Sequence, residues 1–91
     1  MQWQKLDYFT PNNDGYHDTW NIIGIAGFDA TANIYIFDRY GKLLKQISPL
    51  TPGWDGTYNG NALPSSDYWF RAEYVEQGIQ KEIRGHFSLK R

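Results

Sequence analysis

The sequence contains no cysteine, which excludes disulfide bonds, zinc sites built from thiolates and cysteine nucleophiles. It contains no apolar run close to the roughly 20 residues that a membrane-spanning helix requires. No segment of useful length shows a helical hydrophobic period. Positive charge is not in excess, since 9 Lys and Arg are balanced by 10 Asp and Glu for a net charge of −1. Without a basic surface, recognition of a nucleic-acid backbone is excluded.

The first residues lack the apolar core of a secretory signal peptide, because residues 1–5 read Met-Gln-Trp-Gln-Lys. A chain of 91 residues suits one domain. We therefore expect residues 1–91 to be a single domain cut from a longer protein, with any N-terminal targeting signal in that parent.

Aromatic residues make up 18% of the chain, with 4 Trp, 7 Tyr and 5 Phe. Because aromatic side chains bury the most area, they are the expected core of so small a domain. The clearest strand signal lies at residues 82–89, where polar and apolar residues alternate and Phe87 and Leu89 are expected to point inward. Composition and alternation predict further strands at residues 3–8, 20–25, 33–37, 42–47 and 68–75, and a hairpin at 57–62.

These strands and their turns predict an all-β fold. Asn59-Gly60 is the strongest short hairpin signal, and Gly41 ends a turn in which a positive φ is expected. The first strand is expected at a sheet edge and the strand at residues 33–37 near the middle of the sandwich. About seven short strands with turn signals roughly every 8–12 residues are typical of an Ig-like antiparallel β-sandwich.

A loop at residues 9–20 joins the first two predicted strands. Pro11 fixes its own φ, and Gly15 can adopt a positive φ without steric cost. The polar residues between them can turn back onto their own backbone through side-chain hydrogen bonds. Phe9 and Trp20 are expected to hold the two ends of this loop to the core.

The same loop is the one candidate metal site in the sequence. If Gly15 is the sixth residue of an EF-hand-type loop, four oxygen ligands for Ca²⁺ are predicted: Asn12, Asp14, Tyr16 through its carbonyl, and Asp18. However, Thr10 and Asn21 stand at the first and twelfth positions, so the bidentate Glu is missing. Two interpretations stay open: a calcium ion, or an Asx-turn network that satisfies its own backbone and needs no cofactor.

No catalytic residue is predicted. His86 lies on the outward face of its strand with no Asp or Ser placed to form a triad, and His17 lies in the loop. The acidic residues that could form a catalytic pair are all in turn contexts, where Asp has a local role: Asp14, Asp18, Asp55 and Asp67. A sandwich of this size also has little room for a deep pocket, so we expect no enzyme activity.

Three tryptophans suggest an alternative function. Trp3, Trp54 and Trp69 could form a platform that stacks on sugar rings, as in a carbohydrate-binding or adhesion module. The other interpretation is that they complete a small core. Trp69 lies on the strand face opposite Tyr68 and Phe70 and is expected to be partly exposed. A purely structural stalk domain is a third interpretation.

Six motifs follow one another along nearly the whole chain: Phe9-Thr10-Pro11-Asn12-Asn13-Asp14-Gly15, Asp18-Thr19-Trp20, Ile36-Phe37-Asp38-Arg39-Tyr40-Gly41-Lys42-Leu43, Gly53-Trp54-Asp55-Gly56-Thr57-Tyr58-Asn59-Gly60, Leu63-Pro64-Ser65 and Gly85-His86-Phe87-Ser88-Leu89-Lys90-Arg91. In this order the chain closely resembles the gliding motility-associated C-terminal domain, the type B sorting domain of the type IX secretion system of Bacteroidota. The sequence departs from the family pattern at Asn13, at His17 and at Ser66-Asp67.

The resemblance implies that the domain is a C-terminal sorting signal. Such a domain directs its cargo from the periplasm through the outer membrane to the cell surface or the medium. The implied partners are outer-membrane components of the type IX secretion machinery, and a monomer is expected. The resemblance also implies a set of structural signature residues: Phe9, Pro11, Gly15, Trp20, Gly41, Trp54, Asp55, Gly56, Gly60 and Pro64.

The predicted contacts to a partner are Arg39, Lys90 and Arg91. For Arg39 the alternative is an ion pair with Asp38, Asp55 or another acid near the turn. For Lys90 and Arg91 the alternative is a solvated chain end. The resemblance favours recognition, because a carboxyl-terminal signal must present its last strand.

Overall fold

The structure, a computed structural model, describes residues 4–5, 7–11, 18–23, 32–48, 51–76 and 78–91. These ranges contain nine strands and no helix, and hence no helix long and apolar enough to cross a membrane. The strands are β1 (Gln4–Lys5), β2 (Tyr8–Phe9), β3 (Ile22–Ile23), β4 (Asn33–Phe37), β5 (Leu43–Ile47), β6 (Thr57–Tyr58), β7 (Asn61–Ala62), β8 (Ser66–Glu76) and β9 (Ile79–Leu89).

One layer of the molecule is a five-stranded sheet in the order β2-β9-β8-β4-β5. Its centre is the long hairpin of β8 and β9, each 11 residues long. Along β8 the side chains of Tyr68, Phe70, Ala72 and Tyr74 are buried, which is the alternation that the sequence predicted. Strand β4 lies between β8 and β5, so its predicted position inside the sheet is confirmed.

The opposite layer is made of short pieces. Strands β1 and β3 form one ribbon and β6 and β7 form another, while Trp20 and Trp54 make an antiparallel bridge. The Trp20 and Trp54 backbones exchange two N–H···O bonds of 2.9 Å. The Trp20 ring stacks on Phe87 of the large sheet with centroids 4.0 Å apart and planes 10° apart. The chain is therefore the all-β, Ig-like sandwich that the sequence predicted.

The first predicted strand, residues 3–8, differs from the expectation because it serves both layers. Its first part, β1, pairs with β3, and its second part, β2, pairs with β9 at the edge of the large sheet. The β2–β9 pairing is parallel, with Tyr8 opposite Ser88 and Phe9 opposite Leu89, so the sandwich is not antiparallel throughout. The two strands lie far apart in sequence, and no hairpin constrains them to run in opposite directions.

The core lies between the layers and is mostly aromatic. Its largest fully buried side chains are Trp20, Trp54, Phe9, Phe87, Ile22, Ile34, Ile36 and Leu89. Each large apolar side chain removed from water stabilises the fold by about 1.5–3 kcal/mol. The residues that flank the loop at 9–20, Phe9 and Trp20, are both 0% exposed and fix that loop to the core at both ends.

Local turn signals in the sequence were reliable. Asn59 and Gly60 have φ values of 52° and 81° between β6 and β7, as a two-residue hairpin with both central residues at positive φ requires. Gly41 has φ 82° in the turn between β4 and β5. Strand boundaries were less reliable: β8 begins at Ser66 and β9 at Ile79, both earlier than predicted.

Candidate recognition surface

The carboxyl-terminal residue Arg91 is held by three hydrogen bonds. Its Nε donates to the Leu63 carbonyl, its Nη2 donates to the Gly56 carbonyl at 3.1 Å, and its backbone N–H donates to Ser65 Oγ at 2.9 Å. We call these four residues, Gly56, Leu63, Ser65 and Arg91, the tail clamp. Arg91 is exposed, as the alternative of a solvated chain end requires, but its guanidinium is also bound to two backbone carbonyls.

Gly56 in the tail clamp can only be glycine without rearrangement. Its φ is +83°, and a Cβ there would lie 2.8 Å from Leu89 Cδ1, 3.1 Å from Arg91 Nη2 and 3.4 Å from Phe9 Cζ. Because Gly56 has no side chain, Phe9 of β2 and Leu89 at the end of β9 can both approach its backbone.

Backbone bonds join the tail to β2 and to the residue before it. Ser88 N–H donates to the Asp7 carbonyl and Lys90 N–H donates to the Phe9 carbonyl, both at 2.9 Å. The Lys90 ammonium lies 4.7 Å from the centre of the Tyr8 ring, within cation–π distance, and the residue is exposed. The end of β9 is thus presented as part of a folded surface.

Tyr68 lies beside the clamp. Its hydroxyl donates to the Pro64 carbonyl at 2.9 Å. Burial raises the pKa of the Tyr68 phenol above its ordinary value, and the positive charge of Arg91 partly opposes that rise. Proline at position 64 therefore supplies a carbonyl for a core tyrosine as well as a turn.

The motif around Trp54 is fixed by local bonds. Trp54 Nε1 donates to the Thr57 carbonyl at 3.0 Å, and Asp55 Oδ1 accepts from the Thr57 N–H at 3.1 Å and the Thr57 hydroxyl at 2.7 Å. The Asp55 carboxylate is therefore occupied within its own turn. Sequence reasoning missed Gly53, whose φ is +111° and where a Cβ would lie only 2.4 Å from the Trp20 carbonyl oxygen.

Arg39 projects from the turn between β4 and β5. Asp38 Oδ1 accepts from the N–H groups of Tyr40 at 2.8 Å and Lys42 at 2.9 Å, which fixes the turn. Arg39 is exposed, with its guanidinium 5.1 Å from the centre of the Tyr40 ring. Its predicted alternative partners, Asp38 and Asp55, both bond backbone N–H groups through their carboxylates.

The three predicted contact residues do not form one cluster. Arg39 belongs to the turn at 38–41, whereas Lys90 and Arg91 follow β9. Segment 63–65 relates to both regions, since it bonds Arg91 and also lines a cleft of about 320 Å³ with residues 38–40.

The outward face of the large sheet carries cross-strand rows that sequence reasoning missed. Pairing of β4, β8 and β9 places the following residues side by side: Phe37, Trp69 and His86; Tyr35, Arg71 and Arg84; Asn33, Glu73 and Glu82. Alternation along each strand predicted which residues face outward, but the registers that align the rows join segments more than 30 residues apart for β4 and β8. The outward placement of His86 is confirmed.

Charges in these rows are unequally neutralised. Arg84 Nε donates to Glu82 at 2.7 Å, and this hydrogen bond raises the pKa of the Arg84 guanidinium above its ordinary value. Arg71 Nε lies farther from its acids, 3.7 Å from Glu73 and 3.9 Å from Glu82. The Arg71 guanidinium instead lies 5.0 Å from the centre of the Tyr35 ring, within cation–π distance.

The tryptophans do not form the predicted sugar platform together. Trp54 is 1% exposed in the core, whereas Trp69 is 40% exposed on the outward face. Placing Trp54 on such a platform is therefore wrong, because its ring packs against Phe9 and Tyr68. Trp3 lies outside the described residues.

The predicted calcium ligands fall largely outside the described residues, as do Gly15 and His17. This applies to Asn12, Asp14 and Tyr16, whereas Asp18 is described and half-buried. Within the described ranges, no group of three or more His, Asp and Glu side chains could hold a metal ion. Calcium in the loop at 9–20 stays a prediction.

Comparison with known proteins gives one family. The model of the CHU_C Type IX secretion signal domain matches residues 3–89, which include the nine strands of the described ranges. No curated protein and no solved structure matches the chain.

Proposed function

The chain belongs to the CHU_C type IX secretion signal domain family, and on this premise we propose that outer-membrane components of the secretion machinery recognise its folded surface. The domain is a sorting signal for type IX secretion and directs its cargo to the cell surface or the medium. In this proposal the signal is a three-dimensional surface of the folded domain and not a linear tail.

The observation that carries this proposal is the way the tail is tied to distant segments. Ser88 and Lys90 bond the backbone of residues 7 and 9, at β2, and Arg91 bonds carbonyls of residues 56 and 63. A linear motif must be free to extend along its receptor, whereas these residues are shared with the sandwich. The surface that a receptor would meet comprises the end of β9, the clamp beside it and the exposed sheet face.

The experiment fuses residues 1–91 to a fluorescent reporter behind a secretory signal peptide. Fluorescence of cells and medium is compared in a host that has the type IX machinery and in the same host without it. We expect the reporter at the surface or in the medium of the first host and in the periplasm of the second. Retention in the periplasm of both hosts contradicts a sorting function, and a fusion without residues 88–91 tests the tail separately.

The proposal also covers the oligomeric state of the domain and its lack of catalytic activity. We propose that the domain passes through the periplasm as a folded monomer and catalyses no reaction. The absence of catalysis is supported by His86, which is exposed and has the Trp69 ring 6.4 Å away. Sedimentation of the 91-residue chain tests the oligomeric state, and a dimer at micromolar concentration contradicts it.

Calcium is proposed as a brace of the loop at 9–20 and not as a catalyst. A rise in melting temperature in millimolar calcium, absent in magnesium, is the expected result if Asn12, Asp14, Tyr16 and Asp18 bind the ion. An unchanged melting temperature leaves the Asx-turn network as the account of this loop.

A further inference from the structure

A cleft of about 640 Å³ opens on the outward face of the large sheet, beside the turn between β4 and β5. The residues that matter for its chemistry are Phe37, Arg39, Trp69, Arg71, Arg84 and His86. Neither the family match nor the predicted contacts assign a role to this cleft, although Arg39 stands at its rim.

One wall of the cleft is aromatic. Phe37, Trp69 and His86 are neighbours on three adjacent strands, which places them in a row about 10 Å long at a spacing of about 4.8 Å per strand. Trp69 is 40% exposed, so a large apolar ring is left in contact with water. Exposed tryptophan and arginine are the residue types most enriched in the energetic centres of protein interfaces.

The other wall carries the arginines. Three arginines and one acid, Asp38, belong to the lining, and the Asp38 carboxylate is bonded to N–H groups of its own turn. Arg84 is neutralised by its 2.7 Å bond to Glu82. Among the described residues, Arg71 Nε has no hydrogen-bond partner, and its acids lie 3.7 and 3.9 Å away. Arg71 is thus ion-paired with both acids, whereas Arg39 has no ion pair among the described residues and is the cation available next to the aromatic row.

The polar groups of the lining favour an anionic ligand. None of the described lining residues is Asn, Gln, Ser or Thr, so its polar side chains are three arginines, one histidine and Asp38. A carboxylate needs guanidinium groups, with which it forms short, charge-assisted bonds. The lining thus fits a ligand that combines a carboxylate with an apolar group.

We propose that this cleft binds an acidic peptide segment of the secretion machinery, with an apolar side chain on Trp69 and a carboxylate on Arg39. This inference rests on the proposed function, since it names the chemistry of the partner at the recognised surface.

The first test uses the reporter fusion in the host with the machinery. Trp69→Ala removes the apolar contact and Arg39→Glu reverses the rim charge, and each is expected to reduce export about 10-fold or more. The matched controls are Val75→Ala, 49% exposed on the same face of β8 but outside the cleft, and Lys45→Glu, an exposed cation on β5. Both controls are expected to export within about twofold of the unchanged fusion, since neither residue lies at the centre of the proposed contact.

The outcomes distinguish a failure of the sorting function from a failure of the cleft proposal. If the unchanged fusion is not exported, the sorting function itself fails. If it is exported and both Trp69→Ala and Arg39→Glu match it, the cleft proposal is overturned. Arg39 is exposed, so Arg39→Glu keeps the test valid should Trp69→Ala lower the melting temperature of the domain.

The second test addresses the chemistry of the ligand with the 91-residue chain in solution. Acetyl-Asp-Leu-Asp-Leu-Asp-amide is titrated while NMR follows the indole N–H of Trp69 and the Nε–H of the arginines. The acidic peptide is expected to shift these signals, and acetyl-Lys-Leu-Lys-Leu-Lys-amide is not. Shifts produced by trigalacturonate but not by the acidic peptide would replace the peptide with an acidic glycan and overturn the proposal, as would the absence of shifts from all three probes.

Discussion

The tail clamp and the turn between β4 and β5 each combine a glycine at positive φ with an arginine, yet they use this pair in opposite ways. Gly56 is buried and leaves room for Leu89, while Arg91 donates to backbone carbonyls. At Gly41 no described atom lies within 4 Å of the position of a Cβ, and Arg39 is exposed. The same two residue types therefore build the fold in one region and leave a cation available to a partner in the other.

The largest expected difference between the two regions is at their glycines. In Gly41→Ala the positive φ costs about 1 kcal/mol of unfolding free energy. In Gly56→Ala a Cβ 2.8 Å from Leu89 Cδ1 adds an overpacking cost, so we expect a loss of about 2–4 kcal/mol. Urea unfolding measures both variants, and equal losses contradict the role assigned to Gly56.

Substitution of the two arginines should also destabilise the tail clamp more than the turn, but the difference in unfolding free energy should be smaller than for the glycines. Arg91→Ala removes two hydrogen bonds to the carbonyls of Leu63 and Gly56 and is expected to cost about 1–2 kcal/mol. Arg39→Ala is expected to change the unfolding free energy by less than about 0.5 kcal/mol. If the two variants unfold at the same urea concentration, Arg91 does not act as a clamp.

The smallest expected effect is a loss of unfolding free energy at alkaline pH. Burial raises the folded-state pKa of Tyr68, so above about pH 10 the unfolded chain loses this proton while the folded chain retains it, and stability falls as pH rises. In Tyr68→Phe this contribution is absent, and the decrease in unfolding free energy between pH 9 and pH 11 should be smaller than in the unchanged chain. Tyr40→Phe is the control, because Tyr40 is 79% exposed. Identical pH profiles for Tyr68→Phe and the unchanged chain would contradict the raised pKa.

Local features of this fold could be predicted from the sequence because their causes are local. The Asn59-Gly60 hairpin and the positive φ of Gly41 follow from the backbone preferences of those residues. Outward placement of Trp69 and His86 follows from the two-residue period of a strand.

Features that depend on distant partners could not be predicted. The division of residues 3–8 between two layers depends on pairing with β3 and with β9, and the local pattern is the same for either partner. The need for glycine at Gly56 comes from Leu89, Arg91 and Phe9, none of which is near it in sequence. The aromatic row of the cleft requires the registers of β4, β8 and β9, which a single-strand pattern does not contain.

The most direct test of a folded signal is export of the reporter fusion that carries Gly56→Ala, measured below and above the melting temperature of that variant. The account predicts export below this temperature and periplasmic retention above it, while the Gly60→Ala fusion, changed at a positive-φ glycine outside the cleft and still folded, is exported at both. Equal export of the Gly56→Ala fusion at both temperatures would contradict the account, because an unfolded tail would then carry the signal.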